Sequence, residues 1–529
     1  MTATLPPATS TESPAPFRNE ALLDFSNPDY AKAQEDALRQ VASEMDVVFP
    51  LIIGGKRITR EETFASLNPA NPQQIVARFA KASVEDANAA VEAAWERFQT
   101  WRYTSAHERA GIIFQAAHLL RQRRFYFNAL MIYEVGKSWV EADADTAEAI
   151  DFLEFYGREA LRLGGPQPLV PTAGEKNYLS YIPLGVGAVI PPWNFACAIM
   201  VGLTSSALVA GNTVVLKPAS TAALVAARFV ELLDDAGVPA GVVNFLPGPG
   251  GVIGDALVTH PLTRFVSFTG SREVGLRINQ LAATQQPGQK WIKRAILEMG
   301  GKDSIVVDET ADLDAAATAI VASAFGFQGQ KCSACSRAIV VDSVYDQVLE
   351  KVVERAGKLS VGDTTDQAIY MGPVVDENAY KKIQDYIEIG KNEGKVVLGG
   401  EKLDREGYFI APTIIADVAP TARIAQEEIF GPVLAFIRAK DYDDALAIAN
   451  NTEYGLTGAF FSNDRGRVAQ AEREFFVGNL YINRKCTGAL VGVHPFGGFN
   501  MSGTDSKAGG ADYLLLFTQA KAISEKTAG

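Results

Sequence analysis

Cys332 is a candidate nucleophile. It lies in the segment Gly329-Gln330-Lys331-Cys332-Ser333, between a predicted helix and a predicted strand, so we expect it on a loop or turn. The cationic neighbour Lys331 and nearby backbone amides would favour the thiolate, which is the reactive form of the side chain. The alternative is an inert buried thiol, because most free cysteines in proteins are of that kind.

A carboxylate at the end of a predicted strand is a candidate general base. Glu298 is followed closely by Gly300-Gly301-Lys302. Partial burial there would raise the pKa of Glu298 toward the range that suits proton abstraction. The glycines permit a close approach of the backbone or a positive φ. An ion pair between Glu298 and Lys302 accounts for the same residues, and both interpretations stay open.

Two further features could bind an anion. A predicted strand at 265–269 runs into Gly270-Ser271 and a helix, which aims backbone N–H groups and the positive end of a helix dipole at one point. A pyrophosphate would fit there, with the Ser271 hydroxyl as an extra donor. Lys217 follows a predicted strand at 213–216 and would face the same crevice. An ordinary strand-to-helix turn and a solvated lysine are the alternatives.

The elements that must position these residues predict an α/β fold. Apolar runs typical of strands buried on both faces of a parallel sheet occupy 186–190, 213–216, 242–246, 265–269, 295–299 and 304–307. Helical segments such as 221–236 separate them, which indicates βαβ units. A second series has helices at 313–325, 344–359 and 441–450 and strands at 338–341, 433–438 and 479–483. We expect two α/β lobes with a seam near 298–302.

The segment before this series is predicted to be mainly helical. An apolar strand at 47–53 ends in the turn Gly54-Gly55, and helices follow at 83–98, 105–121 and 138–163. Ser83 and Ser105 are suitable N-caps for the first two helices. Residues 1–17 are rich in Thr, Pro, Ala and Ser, and we expect them to form a disordered arm.

Composition excludes several classes of protein. The 529 residues include 62 acidic and 49 basic side chains, for a formal charge of −13, so nucleic acid and anionic membranes are not expected partners. Four Cys and four His argue against a disulfide scaffold or a zinc cluster, and Cys332 with Cys335 would need two more ligands to hold a metal. The most apolar region, 197–210, falls short of the roughly 18 apolar residues of a membrane span. A cytoplasmic protein without a metal site is expected.

The motifs of the chain, taken in order, resemble those of the aldehyde dehydrogenase superfamily from about Val47 onward. They are Pro192-Trp193-Asn194-Phe195, Gly211-Asn212-Thr213, Lys217-Pro218, Phe268-Thr269-Gly270-Ser271, Glu298-Met299-Gly300-Gly301-Lys302, Gly329-Gln330-Lys331-Cys332, Glu428-Ile429-Phe430-Gly431-Pro432, Tyr454-Gly455-Leu456-Thr457 and Pro495-Phe496-Gly497-Gly498. The resemblance implies a Rossmann-like NAD-binding domain at 46–160 and 183–297 and an α/β catalytic domain at 298–490. It also implies an N-terminal arm at 1–45 and a small β oligomerisation element at 161–182 and 508–529.

The resemblance assigns catalytic and cofactor-binding roles. Cys332 would attack an aldehyde carbon, the Asn194 amide and the Cys332 backbone N–H would stabilise the oxyanion, and Glu298 would activate water to hydrolyse a thioester. The cofactor would be NAD, held by Trp193, Lys217, Ser220, Gly270, Ser271, Glu428 and Phe430. Many NAD-preferring members have Glu where this chain has Ser220. Its absence leaves use of NADP open, because a carboxylate would repel a 2′-phosphate.

Other segments, at 327–334, 387–391, 483–485 and 487–492, resemble the branch of the family that oxidises L-glutamate γ-semialdehyde to L-glutamate in proline catabolism. The implied substrate-binding residues are Glu148, Phe195, Lys331, Ser333, Gly488, Ala489 and Phe496. Ser333 and the backbone amides at Gly488 and Ala489 would suit the substrate carboxylate, and the two aromatic rings would enclose its aliphatic part. Glu148 would be a polar anchor that shares a helix face with Phe152 and Phe155, and a solvated helix Glu is the alternative.

Two rival functions remain to be separated from this one. The first is oxidation of another aldehyde on the same fold. The second is a noncatalytic cofactor-binding protein, against which the joint presence of Cys332, Asn194 and Glu298 argues.

The C-terminal run 514–523 is a strand candidate that is too apolar to stay a free edge. In the family such a tail joins a hairpin, here about 161–182, that reaches a partner subunit. The resemblance therefore implies a homodimer or a higher assembly of dimers, and it raises a proline dehydrogenase as a further partner.

Overall fold

The structure is a computed structural model that describes residues 14–527. Over this range the chain forms nineteen strands. In chain order they are β1 (Val47–Phe49), β2 (Leu51–Ile53), β3 (Lys56–Ile58), β4 (Thr63–Asn68), β5 (Asn71–Ala80), β6 (Glu175–Pro183), β7 (Val186–Ile190), β8 (Thr213–Leu216), β9 (Val243–Phe245), β10 (Thr263–Thr269), β11 (Arg294–Glu298), β12 (Ser304–Val307), β13 (Arg337–Val341), β14 (Lys395–Leu398), β15 (Thr413–Ala416), β16 (Val433–Ala439), β17 (Thr457–Phe461), β18 (Asn479–Ile482) and β19 (Thr518–Lys526).

The described residues also form fifteen α-helices. They are α1 (Pro28–Ser43), α2 (Val84–Trp101), α3 (Ala106–Gln122), α4 (Arg124–Val135), α5 (Trp139–Gly164), α6 (Ala198–Val209), α7 (Ala223–Asp235), α8 (Gly250–Thr259), α9 (Arg272–Ala283), α10 (Leu313–Phe325), α11 (Tyr345–Ala356), α12 (Glu377–Glu393), α13 (Arg423–Gln426), α14 (Tyr442–Asn450) and α15 (Arg465–Glu474). Within the same range, no helix is long and apolar enough to cross a lipid bilayer.

The predicted serine caps of α2 and α3 are confirmed. The Ser83 hydroxyl accepts from the backbone N–H of Asp86, whose carboxylate in turn accepts from the Ser83 N–H. Ser105 and Glu108 form the same reciprocal pair at the start of α3. Each pair satisfies two N–H groups that the helix itself leaves free, which fixes where the helix begins.

The first of two seven-stranded sheets contains most of the predicted βαβ series. Its strand order is β11-β10-β7-β8-β9-β2-β3; β7 to β11 run parallel to one another, and β2 is antiparallel to β9 and β3. The ends of β10 and β11 are in register, with Thr269 opposite Glu298. The carboxyl edge of a parallel sheet is where open α/β folds bind ligands, and this edge carries Lys217, Gly270 and Glu298.

The second seven-stranded sheet has the order β14-β15-β16-β13-β12-β17-β18 and is parallel except for β14. The chain passes from the first sheet to the second between Glu298 and Ser304, through the two glycines at 300 and 301. The loop that carries Cys332 leads into β13 near the middle of the second sheet. Two parallel sheets with helical crossovers confirm the predicted α/β fold.

The single strand predicted at 47–53 is wrong, because the chain changes sheets at Pro50. Val47–Phe49 pairs with β5 in a three-stranded sheet of order β1-β5-β4, whereas Leu51–Ile53 pairs with β3 and β9 in the first large sheet. Proline has no N–H to give to a ladder, so it suits the point where a strand leaves one partner for another.

The predicted C-terminal strand is wrong in its first part. Tyr513–Phe517 forms a 3-10 helix, and the strand begins only at Thr518. Tyr513, Leu514 and Phe517 are buried in the core, where the centroid of the Phe517 ring lies 5.4 Å from that of Phe265.

The predicted hairpin at 161–182 is also only partly correct. Helix α5 continues to Gly164, and the strand β6 begins at Glu175. β6 pairs antiparallel with β19 along its whole length, from Pro183 opposite Thr518 to Glu175 opposite Lys526. The tail therefore does find a partner strand, in a separate two-stranded sheet.

The predicted disordered arm at 1–17 lies mostly outside the described residues. Its last residue, Phe17, packs edge-on against Phe155 with ring centroids 5.2 Å apart. Further along the proposed arm, α1 buries Leu38 and Val41, so this part of the chain is folded onto the helices that follow.

Candidate active site

Cys332 lies at the junction of two cavities. The smaller, of about 100 Å³, is lined by Glu148, Phe195, Glu298, Ser333 and Phe496 together with Cys332. We call it the inner cavity. The larger, of about 540 Å³, reaches the other side of Cys332 and runs along the carboxyl edge of the first sheet. We call it the outer cavity. A thiol between two cavities can contact one molecule in each.

The loop that carries Cys332 has a backbone that most residues avoid. Phe327 and Gln328 adopt left-handed conformations with φ of 49° and 56°, and Gly329 follows at 67°. A Cβ on Gly329 would lie 2.4 Å from the carbonyl oxygen of Gly431, so only glycine fits. Non-glycine residues are held in this region only by their surroundings. Cys332 itself lies in a turn, as predicted, and is half-buried.

The electrostatics of Cys332 differ from the prediction. Burial, followed by the carboxylates of Asp303, Glu428 and Glu298, raises the pKa of the thiol well above its ordinary value. The Lys331 ammonium does not oppose this rise, because it donates to Glu141 at 2.7 Å and lines a separate small recess. The expectation that Lys331 favours the thiolate is therefore wrong, and a base must remove the thiol proton.

Glu298 is placed to be that base. It ends β11, is only 8% exposed, and lines the inner cavity with Cys332. Burial raises its pKa to about 7, although hydrogen bonds from the Ser506 hydroxyl and from backbone N–H groups at Gly498 and Ser506 lower it in part. Its Oε2 has no hydrogen-bond partner among residues 14–527. A carboxylate with one free oxygen and this pKa can accept a proton near neutral pH.

The alternative ion pair between Glu298 and Lys302 is not formed. The Lys302 ammonium is buried and lacks a hydrogen-bond partner in the described part of the chain, and its own pKa falls to about 7 because of burial. Of the two roles proposed for the glycines, close approach is the correct one. A Cβ on Gly300 would lie 2.3 Å from both carboxylate oxygens of Glu428, and one on Gly301 would lie 2.5 Å from the Cys332 carbonyl oxygen.

Asn194 connects the first sheet to the cysteine loop. It follows β7 in the segment before α6, is 3% exposed, and donates from Nδ2 to the Gln330 carbonyl at 3.1 Å. An amide nitrogen carries two hydrogens, so a second N–H remains for another acceptor. Because Asn194 and Cys332 both line the outer cavity, that donor can serve an oxygen bound beside the thiol.

The outer cavity brings together six of the seven predicted cofactor residues. They are Trp193, Lys217, Gly270, Ser271, Glu428 and Phe430. Ser271 caps α9 by accepting from the Val274 N–H at 3.3 Å, and the first turn of that helix opens onto the cavity. Burial lowers the pKa of Lys217 to about 8, and its ammonium donates to the Pro218 carbonyl at 3.0 Å.

The outer cavity also presents a carboxylate, that of Glu428. Glu428 accepts the backbone N–H of Gly301 at 3.0 Å through Oε1, and its pKa is raised by burial. The rings of Trp193 and Phe430 meet edge to face beside it, with centroids 5.5 Å apart. Ser220 is the exception among the predicted residues. It begins a 3-10 turn directly after Ala219, and Ala219 is the residue that lines the wall.

The inner cavity brings together six of the seven predicted substrate residues. They are Glu148, Phe195, Ser333, Gly488, Ala489 and Phe496, and Lys331 is the one placed elsewhere. Gly488 has φ of 76°, which suits glycine at the point where its backbone meets the cavity. Burial, with the nearby carboxylate of Asp145, raises the pKa of Glu148 to about 8. Phe152 lines the cavity with Glu148 as predicted, but Phe155 packs on Phe17 instead.

Sequence reasoning missed two groups at this site. Ser506, which bonds Glu298, lies 208 residues away in the chain, in an irregular segment without a recognisable motif. Tyr156 and Tyr513 stack 5.4 Å apart and form a wall of the inner cavity. Tyr156 lies on the predicted helix at 138–163, but no pattern in the sequence pairs it with a residue of the C-terminal segment.

Comparison with known proteins identifies related chains. Residues 57–523 match the model of the Aldehyde dehydrogenase family. A 1-pyrroline-5-carboxylate dehydrogenase of Geobacillus sp. (strain WCH70) is 59% identical over 510 residues, which cover 96% of this chain and 99% of that protein. A crystal structure of 1-pyrroline-5-carboxylate dehydrogenase from Thermus with bound NAD has a TM-score of 0.96 at 52% identity and covers 97% of this chain and 100% of its own. Proline utilization A (PutA) from Bdellovibrio bacteriovorus has a TM-score of 0.96 at 42% identity, covering 98% of this chain and 54% of that longer one.

Proposed function

The chain belongs to the aldehyde dehydrogenase family, and from this premise we propose that it oxidises L-glutamate γ-semialdehyde to L-glutamate with NAD as the cofactor. This aldehyde is the open-chain form of 1-pyrroline-5-carboxylate. The observation that carries the proposal is the position of Cys332, which lies between the inner and outer cavities with Glu298 on one side and Asn194 on the other. A nucleophile, a base and an oxyanion donor are together there.

The outer cavity fits NAD by its shape and by its donor set. Donors suited to phosphate lie at the start of α9, where Ser271 and the backbone N–H groups meet. Lys217 lies in the same wall and suits a ribose. Glu428, held against Gly300, offers carboxylate oxygens to the hydroxyls of a second ribose. When bound, NAD supplies an acceptor for one hydride. The position of Cys332 at the junction determines where the former aldehyde carbon, which donates the hydride, must lie.

Covalent chemistry begins with the loss of the Cys332 proton. Because burial raises the pKa of the thiol, the thiolate forms only as Glu298 accepts the proton. The sulfur then adds to the aldehyde carbon and the carbonyl oxygen becomes an oxyanion. Asn194 Nδ2–H and the Cys332 backbone N–H donate to that oxygen and stabilise its charge.

The oxidation leaves a thioester on Cys332, and Glu298 acts again once it has released the first proton to solvent. Its carboxylate takes a proton from water, the water oxygen attacks the thioester carbon, and the Cys332 sulfur leaves as thiolate. The free Oε2 of Glu298 provides the acceptor, while the Ser506 hydroxyl holds Oε1. The scheme uses no histidine, in keeping with a chain that has only four.

The inner cavity accounts for the choice of aldehyde. Ser333 and the backbone at Gly488 and Ala489 bind the α-carboxylate of the substrate, and Phe195 and Phe496 enclose its aliphatic chain. Glu148, on the wall formed by α5, is a polar group for the ammonium. We assign Lys331 only an indirect part, since its ammonium is held by Glu141.

The same proposal extends to the assembly of the chain. The two-stranded sheet of β6 and β19 is the proposed oligomerisation element, which would join a partner subunit to give a homodimer or a larger assembly of dimers. The first and second large sheets are the cores of the proposed NAD-binding and catalytic domains. A proline dehydrogenase is the proposed supplier of the substrate, and the match to roughly half of a PutA chain supports that partner.

Steady-state formation of NADH tests the proposal. The purified chain is given glutamate semialdehyde or propanal, with NAD or NADP at matched concentrations. We expect kcat/KM to favour the semialdehyde by at least about 100-fold, because propanal forgoes several charge-assisted hydrogen bonds of about 1.5–3 kcal/mol each. Cys332→Ala is the control, which should bind NAD and form no NADH.

The outcomes separate the rival functions. Equal kcat/KM for propanal and the semialdehyde would assign the chain to another aldehyde. Binding of NAD without turnover of any aldehyde would indicate a noncatalytic protein. A strong preference for NADP would overturn the choice of cofactor.

A further inference from the structure

Lys137 is a buried cation that the proposed reaction does not use. It is 0% exposed and forms an ion pair with Asp145, also 0% exposed, at 2.9 Å. An ammonium and a carboxylate removed from water are costly to keep unless their remaining hydrogen-bonding groups are also satisfied. The surroundings of this pair therefore show what it holds in place.

The ammonium of Lys137 lies between two aromatic rings. Its Nζ is 4.3 Å from the centroid of the Phe195 ring and 4.6 Å from that of Phe327. Both distances are within the range of cation–π attraction, which is strongest where water is excluded. The three N–H groups of the ammonium thus meet one carboxylate and two ring faces.

These two rings belong to the two segments that form the site. Phe195 lines the inner cavity and directly follows Asn194. Phe327 stands in the left-handed backbone that begins the cysteine loop. One cation therefore contacts both the segment of the oxyanion donor and the loop of the nucleophile.

The anion of the pair and the neighbouring turn reinforce both contacts. Asp145 Oδ1 accepts the backbone N–H of Ala198, the first residue of α6, at 2.7 Å. The carbonyl of Gly136, next to Lys137, accepts from Gln328 Nε2 at 3.1 Å. The cysteine loop is thus held by Gly136 and Lys137. The segment from Phe195 to Ala198 is held by Lys137 and its ion-pair partner Asp145.

We propose that Lys137, with Asp145, is a positioning residue that fixes Asn194 and the Cys332 loop relative to each other. Lys137 itself lines neither the inner nor the outer cavity. The proposal rests on the proposed roles of Asn194 and Cys332. It adds a residue that contacts the segments carrying both, through Phe195 and Phe327.

Two variants distinguish positioning from simple stability. Lys137→Met leaves the Asp145 carboxylate buried without its cation, so both melting temperature and activity should fall. Lys137→Met/Asp145→Asn removes both charges and keeps an oxygen for the Ala198 N–H, so the melting temperature should largely recover. We expect kcat of this double variant to stay about 10- to 100-fold below that of the wild type, with the Kd for NAD unchanged, because small displacements of reacting groups cost that much.

A readout independent of turnover accompanies the kinetics. Amide hydrogen exchange should rise in peptides covering 193–198 and 326–334 of the double variant, since these segments lose their common anchor. This measurement still tests the positioning if the wild type fails to oxidise any aldehyde, so a failure of the proposed function and a failure of this inference remain distinguishable.

The matched control is another buried ion pair, whose carboxylate lies on the same helix, α5, as Asp145. Arg124 bonds Asp143 through two nitrogens, at 2.6 and 2.7 Å, away from both cavities. Arg124→Met should lower the melting temperature while kcat and exchange at 326–334 stay close to the wild type. An equal loss of kcat in this control, or full recovery of kcat and exchange in the double variant, would overturn the proposal.

A third variant keeps the proposal testable if the Lys137 variants do not fold. Phe327→Leu removes one ring and leaves the ion pair intact, and Phe325→Leu alters a buried ring in the core of the second lobe as its control. Exchange at 326–334 should rise only in the former. No difference between the two would refute a role for the Lys137 contact.

Discussion

Replacing Ser506 with alanine should shift the pH dependence of thioester hydrolysis to higher pH. The Ser506 hydroxyl donates to Glu298 and stabilises its charged form, which opposes the rise in pKa caused by burial. Loss of a hydrogen bond to a charged group costs about 1.5–3 kcal/mol, which corresponds to a rise of about one to two pKa units. The pKa of Glu298 would then move from about 7 to a value one or two units higher.

The sign follows from the form of Glu298 that works. The base must be ionised, so activity is lost as pH falls through its pKa. At pH 7 about half of Glu298 would be ionised in the wild type, but only about 1–10% in Ser506→Ala, which lowers hydrolysis about 5- to 50-fold. The rate of hydrolysis should recover above about pH 9, where Glu298 is ionised in both proteins.

Rapid-mixing kinetics measure this directly. The first burst of NADH reports formation of the thioester, and the steady rate that follows reports its hydrolysis. In Ser506→Ala the steady rate should carry the shifted pH profile. Ser502→Ala is the control, since its buried hydroxyl accepts from the Gly455 N–H and does not bond Glu298. An unshifted profile, or one moved to lower pH, would refute the reasoning.

Three other changes test separate parts of the account. Glu148→Leu should lower kcat/KM for glutamate semialdehyde by about 10- to 100-fold and leave propanal unaffected, because only the semialdehyde has an ammonium to bind; an equal loss for both aldehydes in the steady-state assay would contradict this. Gly300→Ala should raise the Kd for NAD at least about tenfold, measured by fluorescence titration, because its Cβ would occupy the place of the Glu428 carboxylate, 2.3 Å away. Unchanged NAD binding would show that Glu428 is not a ligand of the cofactor. Ser220→Glu should lower kcat/KM for NADP more than about tenfold and that for NAD less than about threefold, through repulsion of the 2′-phosphate; equal effects on both would place Ser220 away from the adenosine ribose.

Local patterns made most of the fold predictable. The apolar runs that became β7, β8 and β10 are short, rich in β-branched residues and flanked by helical segments, so their burial in a parallel sheet follows from composition. The errors arose where a single apolar run is divided between two different elements. Pro50 divides one such run between two sheets. The residues at 514–517 form part of a buried 3-10 helix, and the strand begins only after it.

The site was predictable only in the parts that lie on motifs. Cys332, Glu298 and Asn194 each belong to a short motif that the family resemblance could match. The electrostatics were not predictable, because Lys331 is adjacent to Cys332 in sequence yet is held by Glu141 from another helix. Ser506 and Lys137 were missed for the same reason, since their partners come from distant parts of the chain.

Trapping of the acyl enzyme tests the central claim most directly. The wild-type protein would be mixed with glutamate semialdehyde and NAD, quenched with acid during the first burst of NADH, digested and analysed by mass spectrometry. We expect a burst of up to one equivalent of NADH and a glutamyl thioester on the peptide that contains Cys332. NADH formed with Cys332 unmodified, or an acyl group on Cys197, Cys335 or Cys486, would contradict it.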